Sequence, residues 1–196
     1  GHGLPVMVWL YGGAFQTGST CEKEFNGEQL ARQGVVVVSI AYRLNVFGFF
    51  AHAMLEKEAV DGRPCANFGF LDQRMGIQWV KDNIALFGGD PANITVFGQS
   101  AGAASALAQS VSPMNDGLFQ RVIMQSGGGT GLFNRHLWSL EDAQRNGARF
   151  LKYLEVESIA EARSVPATDL LEAAVTFPAC DWSGQGDDVV WAPMTN

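Results

Sequence analysis

Apolar and polar positions alternate in blocks along the chain, and the blocks have strand or helix length. "LPVMVWLY" (Leu4–Tyr11) is an almost unbroken apolar run closed by Gly12-Gly13, which predicts a buried strand. "NGEQLARQG" predicts a short helix stopped at Gly34, and "VVVVSIAY" (Val35–Tyr42) a central parallel strand covered on both faces. A polar loop runs from about Ala53 to Asn67. In "FLDQRMGIQWVKDNIALFGG", Leu71, Met75, Gln78-Trp79 and Asp82 recur at three-to-four spacing, which predicts a helix ended by Gly88-Gly89, with Trp79, like Trp9, in the core. "FGGDPANI" is a turn punctuated by Asp90-Pro91. Strand "NITVFG", helix "SAGAASALAQSV" and strand "RVIMQSGGG" complete an α/β pattern: a parallel sheet with right-handed crossovers.

After Thr130 the pattern turns helical. "SLEDAQRNGARFLKYLE" and "SIAEARSV" each open on a capping box, Ser139 to Asp142 and Ser158 to Glu161. The expected organisation is a sheet-bearing segment over 1–130 and a helical, lid-like or inserted segment over 131–196.

Composition narrows the function. A net charge of −7 without a Lys/Arg cluster argues against nucleic-acid binding. No apolar run approaches the roughly 18 residues that would span a bilayer. Cys21, Cys65 and Cys180 are odd in number and widely spaced. Free thiols are therefore favoured over a disulfide framework, with one pair plus one spare as the alternative, and a reducing, cytoplasmic setting is expected. The start, "GHGLPVMVWL", has no signal-peptide features, and both ends read as cut.

The chemistry concentrates at "TVFGQSAGAAS". Gly98-x-Ser100-x-Gly102 between a strand and a small-residue helix is the nucleophile-elbow pattern, in which a tight turn lifts the serine hydroxyl clear of the sheet. The following helix points its first N–H groups at any anion formed beside Ser100. An acyl-transfer serine also needs backbone donors for the developing oxyanion. The Gly12-Gly13-Ala14 end of the first strand and the Ala101 amide are the candidates. Phe15, Phe47, Phe49 and Phe50 are core residues by default, with Phe15 equally a pocket residue. "SGGGTG" (Ser126–Gly131) lacks a GK[ST] ending, and Leu132 stands where GxGxxG needs glycine, so it reads as a loop rather than a phosphate cradle.

"LPVMVWLYGGAF", "VVVVSIAYRLNVFGFF", "NFGFLDQRMGIQWVKDNIALFGGDPANITVFGQSAGA" and "LFQRVIMQSGG" together resemble the type-B carboxylesterases, the carboxylesterase–cholinesterase–lipase family, from Leu4 to about Gly128. Within that family the resemblance is to bacterial enzymes of the para-nitrobenzyl-esterase kind. It implies an α/β-hydrolase fold, here lacking its C-terminal strands, and a serine hydrolase of small carboxylic esters without metal or cofactor. It places Ser100 as nucleophile, Gly13, Ala14 and Ala101 as oxyanion donors, and Gly12 as the glycine preceding them. Ser126 falls on a supporting serine, and Arg43 and Asp72 on a structural ion pair. Gln99 departs from the family, which usually has Glu there, and is expected to tune catalysis rather than abolish it.

A base for Ser100 is not apparent. The chain order expected is Ser, then Asp or Glu, then His. His136 comes too soon after Ser100, His2 and His52 precede it, and Asp181, Asp187 and Asp188 read as solvated surface. The resemblance puts acid and histidine well C-terminal to Asn196, so this segment alone is expected to be weak or inactive. The rival readings are a non-catalytic adhesion or scaffold relative, disfavoured by the intact Ser100 and glycines, and an inactive truncated product. Oligomeric state stays open.

Overall fold

The computed structural model describes residues 3–59, 65–127, 137–178 and 191–195. In chain order its elements are β1 (Leu4–Leu10), α1 (Glu28–Ala31), β2 (Val36–Ser39), α2 (Asn45–Phe49), α3 (Ala53–Glu56), α4 (Phe68–Asn83), β3 (Gly89–Gln99), α5 (Ala101–Val111), β4 (Arg121–Gln125), β5 (Trp138–Ser139), α6 (Leu140–Tyr153), α7 (Ile159–Ser164), α8 (Ala167–Thr176) and β6 (Met194–Thr195). They fall into two compact units, Gly1–Tyr42 with Phe70–His136, and Arg43–Gly69 with Leu137–Asn196. The division is discontinuous in sequence, so the segment after Tyr42 groups with the C-terminal helices.

The first unit is built on a parallel four-stranded sheet in the order β2-β1-β3-β4. Val8 pairs with both Val38 and Val96, and Val96 pairs onward with Val122. Alternate residues of the central strands, Val6, Val8, Leu10, Ile94 and Val96, point to one face and pack with Ile77, Val80 and Ile84 and with Ala106 of α5. All five strand residues are fully buried, and each such side chain contributes about 1.5–3 kcal/mol of transfer free energy. The opposite face is closed in part by aromatic contact, with Trp9 5.0 Å from Phe25 and 4.8 Å from Phe97.

Three sequence expectations are corrected here. First, β2 is not central: only Val36–Ser39 form strand, half-buried at an edge of the described sheet, and β1 and β3 take the centre. The apolar run continues to Tyr42, but there the chain leaves the ladder, and the Tyr42 amide donates to the Tyr11 hydroxyl instead of a strand neighbour. Second, the buried face of α4 carries Gln73, Ile77 and Val80, while Met75 is 71% and Trp79 48% exposed. Gly76 sets this phase, because a Cβ there would press on the Ile40 side chain at 2.8 Å; the helix comes in close at a residue with no hydrophobic signal. Third, "FGGDPANI" lies partly within β3. The pairing jumps from Leu4↔Gly89 to Val6↔Ile94, and Asp90 Oδ1 accepts from the Ala92 amide at 2.8 Å, so the expected turn survives as an irregularity inside the strand.

In the second unit α6 buries Ala143, Asn146, Gly147, Phe150 and Leu151, the stripe its sequence period predicts. Phe150 meets Phe177 at 5.1 Å and Trp191 at 4.9 Å, both edge-on, a geometry that favours aromatic pairs beyond their area. The serine half of each expected capping box is present: Ser139 Oγ accepts from the Asp142 amide and Ser158 Oγ from the Glu161 amide, each at 3.1 Å. Five elements, α2, α3, β5, α8 and β6, were not foreseen. α8 follows Pro166, and α3, inside the expected polar loop, is capped by His52 Nδ1 accepting from the Met54 amide at 3.0 Å. Burial holds His52 below the usual histidine value, which keeps that nitrogen a lone-pair acceptor. No helix among the described residues is long and apolar enough to cross a membrane.

Candidate active site

β3 delivers Ser100 to the C-terminal edge of the sheet, and α5 starts at the next residue. Ser100 sits at φ 56°, ψ −121°, in the half of backbone space that residues with a Cβ rarely enter and at a cost of about 1–3 kcal/mol. Its surroundings hold it there. The Ser100 amide donates to the Gln125 carbonyl of β4 at 2.9 Å, and its carbonyl accepts from Ala103 at 2.9 Å and Ala104 at 3.0 Å. The flanking glycines are a packing necessity. A Cβ on Gly98 would lie 2.7 Å from the Leu10 carbonyl oxygen; one on Gly102 would overlap that oxygen and lie 2.8 Å from the Tyr11 carbonyl oxygen. The side chain of Ser100 makes no capping bond to α5, so its hydroxyl is not spent on the helix it precedes.

The glycine turn after β1 meets this serine. A Cβ on Gly12 would stand 2.8 Å from the Gln99 carbonyl oxygen and 3.2 Å from Ser100 Cβ. Beyond it Gly13 (φ 107°), Ala14 (φ 54°) and Phe15 (φ 63°) run in succession with positive φ. The Gly13 carbonyl is tied by the Gln16 and Thr17 amides at 2.9 and 3.1 Å. The amides of Gly13 and Ala14 have no acceptor among the described residues. Tied carbonyls and N–H groups without an acceptor among the described residues are the features from which an anion-binding turn can be built. Phe15 is fully buried against Phe70, edge-on at 5.8 Å.

Strand pairing and the turns thus bring Gly12 and Ser100 into contact, with Ala101 opening α5. The positive φ at Ser100, the close-packed glycines and the parallel strand order are those of a nucleophile elbow. The model of the Carboxylesterase family matches residues 1–195.

The chain belongs to the carboxylesterase family.

Among relatives of this carboxylesterase chain, the para-nitrobenzyl esterase of Bacillus subtilis (strain 168) is 43% identical over 174 residues, 87% of this chain and 33% of that protein. The bile salt-activated lipase of Mus musculus is 50% identical over 133 residues, 64% of this chain and 21% of that protein. Of solved structures, a thermophilic PNB esterase superposes with a TM-score of 0.82 at 36% identity, covering 100% of this chain and 38% of that one. A carboxylesterase of Geobacillus stearothermophilus gives 0.81 at 40%, covering 99% and 38%. The fold is therefore that of the α/β hydrolases, and the chain spans only about a third of the length of these carboxylesterase relatives.

The remaining expected site residues of the carboxylesterase segment fall in both units or outside the described residues. Gln99 and Ser126, with Trp9, Phe25, Phe97 and Gln125, line a cavity of about 480 Å³, and Ser126 has φ 51°. Arg43 stands in the second unit with its guanidinium 5.3 Å from the Phe68 ring centre, and Asp72 lies on α4 in the first. Their pairing stays an expectation from the resemblance. Phe47 is exposed, Phe49 buried and Phe50 half-buried, all in the second unit. His2, His136, Cys180, Asp181, Asp187, Asp188 and most of "SGGGTG" lie outside the described residues. Cys21 and Cys65 are free thiols. No group of three His, Cys, Asp or Glu side chains among the described residues could hold a metal. Sequence reading missed Tyr11 and Tyr42, whose mutual hydrogen bonds join positions 31 apart and leave no periodic trace.

Proposed function

We propose that the protein of which this chain is part hydrolyses small carboxylic esters through a covalent acyl intermediate on Ser100. The observation that carries this reading is the contact between two strained turns: Gly12 backs onto Ser100, with the Gly13 and Ala14 amides, which have no acceptor among the described residues, next in the chain. Family membership supports ester chemistry, and the chain's relatives include a para-nitrobenzyl esterase and a bile salt-activated lipase. In the first step Ser100 Oγ attacks the ester carbonyl carbon while its proton passes to a histidine beyond this chain. The carbonyl oxygen becomes an oxyanion and accepts from Gly13, Ala14 and Ala101; one such donor is worth about 3–4 kcal/mol in the barrier. The carbon–oxygen bond to the alcohol then breaks, and the alcohol leaves with that proton. Water attacks the acyl-serine by the same route in reverse, releasing the acid and restoring Ser100 Oγ–H. Gln99 in place of a carboxylate leaves one less negative charge beside the imidazolium, and Ser126 is proposed to support the hydrogen-bond network.

Rapid mixing of the full-length protein with a para-nitrophenyl ester tests this. A burst of nitrophenol stoichiometric with enzyme, followed by slower steady turnover, is the expected result. Turnover with no burst, retained in Ser100→Ala, would remove the acyl-serine.

A further inference from the structure

The strand that enters the oxyanion turn ends in a pair of stacked tyrosines. The rings of Tyr11 and Tyr42 lie 4.4 Å apart at 16°. Tyr11 Oη donates to the Tyr42 carbonyl at 3.0 Å and accepts from the Tyr42 amide at 3.2 Å. In return Tyr42 Oη donates to the Tyr11 carbonyl at 2.7 Å. Both side chains are buried, so each hydroxyl has given up water for these partners. The Tyr11 carbonyl matters because it belongs to the peptide leading into Gly12, and because it closes on Gly102 of the elbow, where a Cβ would stand 2.8 Å from it.

Behind Tyr42 runs a line of buried polar groups. Ser105, one turn along α5 from the elbow, sits beside the Tyr42 hydroxyl and is one of the groups that offset its burial. Gln73 of α4 donates to Ser105 Oγ at 3.0 Å, and Gln109 donates to Gln73 Oε1 at 3.1 Å and to the Phe70 carbonyl at 2.9 Å. Asn115 donates to Gln109 Oε1 at 2.7 Å. Gln73, Ser105, Gln109 and Asn115 are all buried. Burying so many polar groups is favourable only when they are mutually bonded, and a bonded network of this kind holds its members in one arrangement. The arrangement it holds is that of α5, which carries Ser100, relative to the start of the oxyanion turn.

We infer that Tyr42 is a positioning residue for the oxyanion turn: its hydroxyl, held by Tyr11 and backed by Ser105 and Gln73, fixes the Tyr11–Gly12 peptide and with it the aim of the Gly13 and Ala14 amides at the carbonyl on Ser100. This rests on the acyl-serine reading of Ser100. An oxyanion donor acts through sub-ångström placement at the transition state, so misplacement lowers kcat and leaves ground-state binding nearly untouched. Desolvation by burial, with repulsion from Tyr11, holds the Tyr42 phenol far above the ordinary tyrosine value, so it remains a donor across the working pH range.

The test uses the full-length protein and two variants, Tyr42→Phe, which keeps the stacked ring, and Ser105→Ala, which removes only the hydroxyl behind it. For Tyr42→Phe the expectation is a fall in kcat of about tenfold with KM within twofold, and an equal weakening of a trifluoromethyl ketone inhibitor, which needs the oxyanion donors. Inhibition by the product alcohol should not change. Ser105→Ala should show the same pattern at about threefold, and it decides the matter if Tyr42→Phe does not fold. Unchanged kcat and ketone affinity in a folded variant overturn the inference while wild-type acylation at Ser100 leaves the esterase reading standing. Equal losses in ketone and alcohol affinity also overturn it, as they mark general loosening. Wild-type protein that forms no acyl-serine removes both.

Discussion

The two units of this chain carry their order in different ways. In the first, a sheet of β-branched residues brings two backbone turns together at distances where a single added carbon has no room: Gly98 and Gly102 against the Leu10 carbonyl, Gly12 against Ser100. Its buried polar residues, Tyr11, Tyr42, Gln73, Ser105 and Gln109, are bonded to one another, and Ser100 is held in a backbone conformation it would not choose alone. The second unit has an aromatic cluster of Phe150, Phe177 and Trp191, helices opened by serine caps, and exposed ion pairs such as Arg163 with Glu58 at 2.7 Å. The second unit also holds non-glycine residues at positive φ, Asn45, Asn67 and Glu155, and a close-packed glycine, Gly147 against the Ala51 carbonyl, so what sets the first unit apart is that its strained positions include the serine where chemistry is proposed.

That contrast can be broken at several points. Ser100→Gly has the largest expected effect: turnover of the full-length enzyme falls about 10⁴-fold or more. Stability to denaturant should rise by about 1 kcal/mol, because glycine accepts φ 56° without penalty, whereas Ser100→Ala should lose turnover with no such gain. A fall in stability on Ser100→Gly would contradict the strain argument. Phe150→Ala in the second unit should cost about 3–5 kcal/mol by denaturant unfolding, the usual figure for emptying an aromatic site. Gly102→Ala adds one carbon rather than removing six, yet should cost about 3 kcal/mol by the same measurement, since the atom it meets is backbone. If it cost less than 1 kcal/mol, the elbow would not be close-packed.

The smallest effect is electrostatic. Glu161 accepts from the Glu157 amide at 2.9 Å and from Ser158 Oγ at 3.0 Å, and these bonds hold its carboxyl below the usual glutamate value. A carboxyl depressed on folding contributes stability in full above its unfolded value and loses it as pH falls through the folded value. Thermal unfolding should therefore show a small acid-dependent loss beginning near the ordinary glutamate range of about 4.3, and Glu161→Gln should shrink it. An unchanged acid profile in that variant would show that α7 does not depend on its capping box.

Much of this was readable from residue order, and the failures have physical causes. The elbow was readable because a strained turn excludes side chains at fixed offsets from Ser100, and the capping boxes because Ser and Asp or Glu meet three residues apart. The buried face of α4 was not, since Gly76 and Gln73 share it with Ile77 and Val80 and break its hydrophobic signal, while the exposed face carries Met75 and Trp79. The edge position of β2 was hidden because the apolar run continues past the last strand bond, from Ile40 to Trp9, to Tyr42, whose amide is bonded to a side chain instead of a strand neighbour. The tyrosine clasp joins positions far apart in sequence, so no local pattern announces it.

The most direct test of the central claim is intact-mass analysis of the full-length protein after exposure to a fluorophosphonate, with the modified peptide mapped. One adduct per chain, located on Ser100 and absent from Ser100→Ala, is the predicted result. No adduct, or one that persists in Ser100→Ala, would contradict the assignment of Ser100 as nucleophile.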